Sequence, residues 1–140
     1  MRYHELVGRV QEEGGFDSRD EAAKAIKATL SSLGECLYRT ERRHLASQLP
    51  KEAKVFLEEQ VGSQVTRQSA ACLTLQEFYD RVGARADVTR TRAIEQAKAV
   101  TAVLQEALPE GEWKHIVTEM PKEYQELLTG ESAGPATPSA

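Results

Sequence analysis

The sequence is poor in the residues that staple a protein, bind metal or anchor it in a membrane. It has two cysteines, three histidines and one tryptophan. Two cysteines are too few for the disulfide frameworks on which small secreted domains depend, so Cys36 and Cys72 are expected as buried thiols in a reducing compartment rather than as a bridge. No apolar run approaches the roughly 20 residues that a membrane helix needs. Met1-Arg2-Tyr3-His4-Glu5 reaches charge at once, without the apolar core of a signal peptide. A cytoplasmic chain with no membrane segment is expected.

An excess of positive charge is missing too. Eighteen Lys and Arg stand against 22 Asp and Glu, for a formal net charge of -4. A dedicated nucleic-acid binder, which displaces counterions with a basic excess, is not expected. Glycine-rich phosphate loops, nucleophile elbows, metalloprotease helices, His-x3-His pairs and Cys-x-x-Cys pairs are all absent, and no Glu-x-x-His pair is expected to hold a metal. No catalytic residue, cofactor or metal ligand is assigned. What remains is the balance of a globular chain, 40% hydrophobic and 29% charged, since a disordered one would hold fewer apolar residues.

The strongest positive signal is an internal repeat. The segment His44-Leu45-Ala46-Ser47-Gln48-Leu49-Pro50-Lys51-Glu52 returns as His115-Ile116-Val117-Thr118-Glu119-Met120-Pro121-Lys122-Glu123. The step from His44 to His115 also relates Ala22 to Ala93, Lys27 to Lys98, Leu33 to Leu104, Glu35 to Glu106, Leu37 to Leu108 and Leu57 to Leu128. Upstream the step lengthens by a single position and relates Glu5 to Glu77, Leu6 to Phe78, Arg9 to Arg81 and Val10 to Val82. The slip falls around Gly14-Gly15 and Asp17, where a loop absorbs it.

Each copy reads as four helices. Leu6, Val7 and Val10 form the stripe of a first helix over roughly Tyr3 to Glu13, stopped by Gly14-Gly15, and Leu75, Phe78 and Val82 form its counterpart over Leu75 to Ala86. Ser18-x-x-Glu21 and Thr74-x-x-Glu77 are capping-box patterns. Ala22, Ile26, Leu30, Leu33 and Leu37 share one face of a longer helix, as do Ala93, Ala97, Val100, Leu104 and Leu108. At about 19 residues such a helix spans about 28 Å. Short third and fourth helices follow, with Pro50 and Pro121 expected at the first position of the fourth. Gly8 and Gly34 are isolated helix glycines, expected where helices pack closely.

The expected fold is therefore all-α: two tandem pseudo-symmetric four-helix repeats, residues 1–62 and 74–129, packed as one helical bundle. Residues 63–73 are a connection that can continue as helix up to Cys72, and 130–140, rich in Gly, Pro, Ser and Ala, are expected as a disordered tail. This layout of an amphipathic helix, a capped long helix and a Leu/Met-Pro-Lys-Glu helix start, given twice, resembles the bacterial family catalogued as domain of unknown function 2267. The residues that carry the resemblance are Leu6 to Val10, Ser18 to Leu37, Leu49-Pro50-Lys51-Glu52 and their second-copy equivalents. It implies a helical fold and a bacterial origin, and brings no activity and no site residues.

Four groups of residues are candidates for function. His44 and His115 occupy matching positions and can meet in a cleft between the copies as acid and base or as ligands; each also suits a helix position bonded to a carbonyl. Arg39, Arg42 and Arg43 cluster beside Tyr38, and Glu35 and Glu41 flank them, the composition of an exposed ion-paired face. Trp113 replaces Arg42 in the second copy and suits either an interface anchor or the core. The recurring Pro-Lys-Glu start is explained by helix capping alone. The chain is expected to be a non-enzymatic protein-interaction or regulatory module with an unidentified protein partner and a surface of Arg39, Arg42, Arg43 and Trp113. A small-ligand binder or enzyme in the cleft between repeats, using His44 and His115, is the alternative, and weak nucleic-acid binding through the arginine cluster is the third.

Overall fold

The computed structural model describes residues 1–37, 39–58 and 74–129, with Arg39 described in its backbone only. The expected connection over 63–73 with Cys72, the end of the first repeat at 59–62, Tyr38 and the expected tail over 130–140 lie outside the described residues. The N-terminal half contains α1 (Tyr3–Gly14), α2 (Arg19–Cys36), α3 (Arg39–Ser47) and α4 (Lys51–Glu58). The C-terminal half contains α5 (Leu75–Ala86), α6 (Arg90–Ala107), α7 (Glu110–Glu119) and α8 (Gln125–Thr129), the last preceded by a 3-10 turn over Lys122–Tyr124. There is no strand among the described residues, and the fold is all-α.

Local chemistry sets the helix ends. The long helices start at hydroxyl caps in matching positions, Ser18 and Thr89. Ser18 Oγ accepts from Glu21 N–H at 3.1 Å, and Thr89 Oγ1 from Arg92 N–H at 3.2 Å. The capping box expected at Thr74 is complete. Thr74 Oγ1 accepts from Glu77 N–H at 3.1 Å, and Glu77 returns the bond to Thr74 N–H at 2.9 Å. At Ser18 the box is half formed, because the Glu21 carboxylate takes the Asp17 N–H at 3.2 Å instead. The first helix of each half stops on a left-handed residue, Gly15 at φ 62° and Asp87 at φ 60°. Aspartate is among the few side chains that visit this region.

The prolines sit one residue earlier than expected. Pro50 precedes α4, and its carbonyl accepts from Ala53 N–H at 2.9 Å and Lys54 N–H at 3.0 Å, as a cap residue's does. Pro121 precedes the 3-10 turn, so α8 is shorter than α4. The tight turn accompanies the burial of Tyr124, whose ring meets Phe78 edge-on with centroids 5.5 Å apart, a favoured aromatic geometry.

The two halves share one core. The α1 helix packs on α2 and also on α6, while α5 packs on α6 and also on α2; α2 and α6 touch, α4 covers α2, and α8 covers α6. Leu6, Val10, Ile26, Leu30 and Leu33 join Phe78, Val82, Val100 and Leu104 in a single apolar cluster. Burial of each such side chain contributes about 1.5–3 kcal/mol. Buried Ala22, Ala25, Ala93 and Ala97 let the long helices approach closely. Ion pairs cross between the halves: Arg9 on α1 binds Glu106 on α6 at 2.7 Å, and Arg81 and Arg85 on α5 bind Glu35 on α2. Neither half buries its apolar faces alone. The halves also meet along a seam where α3 lies against α7.

Candidate functional site

The third helix of each half is fixed from below by apolar side chains. Leu45 is fully buried beneath α3, and Trp113 and Ile116 are buried beneath α7. With those anchors set, residues three apart on each helix share a face. Glu41 and His44 on α3 therefore confront Glu112 and His115 on α7, and the pairing is crossed. His44 Nδ1 lies 3.4 Å from Glu112 Oε1, and His115 Nε2 lies 3.4 Å from Glu41 Oε2. The ring centroids of His44 and His115 are 6.1 Å apart with planes tilted by 54°.

Exposure divides the four groups. The imidazoles of His44 and His115 are half exposed, at 49% and 50%. Glu41 is the exception, with a side chain only 9% exposed. Glu119 stands one helical turn beyond His115, and one ligand atom each from Glu41, His115 and Glu119 lies within 4.8 Å of the others. The matching place on α3 holds Gln48. The arrangement thus offers two imidazoles and two carboxylates at the surface, with a third carboxylate, Glu41, buried beside them. Nitrogen and oxygen ligands of this kind suit proton exchange or a divalent cation.

The structure brings His44 and His115 together, and it separates the arginine and tryptophan candidates. Arg42 is 8% exposed and Trp113 4%, so neither belongs to an exposed face. Arg42 donates from Nη1 to the carbonyls of Gly34 at 3.0 Å and Leu37 at 3.1 Å, capping the end of α2 with its charge. Trp113 donates from Nε1 to the Leu128 carbonyl at 3.0 Å, at the end of α8. The expected ion-paired face is corrected on this point: the long stem of Arg42 carries its guanidinium inward to orphaned helix carbonyls, a use of arginine that spacing does not reveal. Arg43 is exposed, and Arg39 begins α3. Cys36 is buried, as expected, with its sulfur 3.3 Å from the Tyr124 hydroxyl.

Glu41, Glu112 and Glu119 are the residues that sequence reasoning missed. The expectation of no Glu-x-x-His pair is corrected: Glu41-x-x-His44 and Glu112-x-x-His115 are two such spacings, a unit that helical bundles use to hold metals. A separate cleft of about 350 Å³ lies where the start of α2 faces the α5–α6 turn, lined in part by Asp20, Lys24, Asp87 and Gln96. It contains neither histidine. Among the described residues, no helix is long and apolar enough to cross a membrane.

No curated protein matches the chain. The model of the family described as "Uncharacterized conserved protein (DUF2267)" matches residues 3–127, and this chain belongs to that family.

Proposed function

We propose that the chain is a non-enzymatic interaction or regulatory module, built by duplication of one four-helix unit, with the seam between α3 and α7 as its working surface. The observation that carries this reading is the crossed pairing of His44 with Glu112 and His115 with Glu41, on two half-exposed imidazoles 6.1 Å apart. The gathering of two imidazoles with Glu41, Glu112 and Glu119 where the two halves meet supports this reading. The duplication is supported by the hydroxyl caps at matching positions and by α1 and α5 each packing on the long helix of the other half. A bacterial cytoplasmic setting belongs to the same proposal and is supported by the scarcity of cysteine.

The seam replaces the surface of Arg39, Arg42, Arg43 and Trp113, since Arg42 and Trp113 are committed to buried carbonyls. The same burial weakens the nucleic-acid reading. The small-ligand or enzyme reading keeps one specific support, the convergence of two imidazoles with carboxylates. The test is capture of partners from native lysate with wild type and with the His44→Gln/His115→Gln variant. A protein partner held by wild type and lost from the variant is the expected result. A partner held equally by both contradicts the seam, and a retained metabolite in place of a protein moves the assignment to the ligand reading.

A further inference from the structure

We infer that Glu41, His115 and Glu119 bind one divalent first-row transition-metal ion, with His44 as a fourth ligand. Three features of the seam carry this. First, the three ligand atoms already lie within 4.8 Å of one another, and they come from both halves, Glu41 from α3 and the other two from α7. An ion with ligand bonds of about 2.0–2.2 Å sits between atoms spaced about 3–4 Å apart, so small side-chain rotations complete the sphere.

Second, Glu41 is a carboxylate nine-tenths buried and aimed at this point. A buried charge needs a partner. The contact described for Glu41 is the half-exposed His115 imidazole at 3.4 Å, longer than a normal hydrogen bond. A cation between Glu41, His115 and Glu119 supplies closer compensation.

Third, a second imidazole stands close by. Two imidazoles on one tetrahedral ion hold their centroids roughly 5 Å apart; those of His44 and His115 are 6.1 Å apart, so His44, which lies outside the 4.8 Å group and pairs with Glu112, joins the ion by turning from that carboxylate. Gln48 in the place corresponding to Glu119 removes a carboxylate from the other side of the seam, so the geometry gives one site rather than two. Nitrogen together with carboxylate oxygen selects zinc, nickel or cobalt over magnesium and calcium, which prefer oxygen alone. The ion joins α3 to α7 and remains accessible through the exposed side of His115.

The experiment is calorimetric titration of zinc chloride alone into the full-length chain, with the visible absorption of bound Co(II) as a second readout. It needs no partner, so it is decided separately from the capture experiment. One zinc per chain is expected. His115→Gln and Glu119→Gln each weaken binding at least about tenfold, the lower range for residues that support a metal site. Glu119 is exposed, so Glu119→Gln folds normally and remains decisive even where Glu41→Gln does not. His44→Gln weakens binding and alters the Co(II) spectrum. His4→Gln, at the third histidine of the chain, leaves the affinity unchanged. The inference is overturned by an absence of saturable binding, by wild-type affinity in Glu119→Gln, by equal losses in His4→Gln and His115→Gln, or by displacement of zinc by equimolar magnesium.

Discussion

The N-terminal half places an arginine beneath its third helix, and the C-terminal half places an indole at the matching position. Arg42 reaches the Gly34 and Leu37 carbonyls at the end of α2; Trp113 reaches the Leu128 carbonyl at the end of α8. Both are buried, and both donate N–H to carbonyls that helix geometry leaves without partners. The difference lies in what surrounds them. In the first half α4 presses its backbone onto α2 at Gly34, where an added Cβ would stand 2.6 Å from the Leu57 oxygen. In the second half the residue corresponding to Gly34 is the exposed Gln105. One half closes by backbone approach and a charged donor, the other by filling space with an aromatic ring. The position specifies a long side chain with an apolar body and an N–H tip, not a residue type.

The largest effect is expected of Trp113→Ala, which removes the ring and leaves the Leu128 carbonyl without its indole donor. A loss of about 3–5 kcal/mol in urea unfolding is expected. Trp113→Arg restores a donor and should lose less; an equal loss would show that volume alone matters. Next comes Gly34→Ala, which forces α4 away from α2 and should cost about 1–3 kcal/mol, whereas Gln105→Ala should stay within about 0.5 kcal/mol of wild type. Thermal melts of the two variants decide whether the close approach is confined to the first half.

The left-handed stops predict effects of opposite sign. Gly15→Ala should destabilise by about 1–2 kcal/mol, the cost of an L side chain in that region. Space is not the cause, because nothing lies within 4 Å of the added Cβ. Asp87→Gly should stabilise or be neutral by the same melts. The smallest effect concerns Tyr79, whose place in the first helix of the N-terminal half is held by the apolar Val7. The Tyr79 hydroxyl is buried without a hydrogen-bond partner among the described residues. Burial, with the Glu126 charge, pushes its pKa up to about 12. The folded state therefore holds that proton more tightly than the unfolded chain, and stability falls as pH rises from about 10 towards 12. Tyr79→Phe should raise stability at neutral pH by about 1 kcal/mol and flatten the alkaline decline, read by denaturation at successive pH values.

Much of the fold was legible because it rests on periodicity and capping. The stripe of Ala22, Ile26, Leu30 and Leu33 is buried along one face of α2, and the Thr74 box forms as its spacing predicts. The prolines misled by one residue, since a cap and a first helical position differ only in backbone angles. The site was half legible. Matching positions identified His44 and His115, but their partners lie across the seam, and a crossed pairing between α3 and α7 is a tertiary fact. Arg42 was misplaced for the same reason: the carbonyls that it satisfies belong to another helix.

Binding at the seam through its imidazoles is decided by long-range nitrogen–proton NMR of the three histidines during titration of the full chain with zinc. The ring signals of His115 and His44 should move together to saturation at one equivalent, while those of His4 stay in place. No movement, movement of His4 alone, or equal movement of all three would contradict binding there.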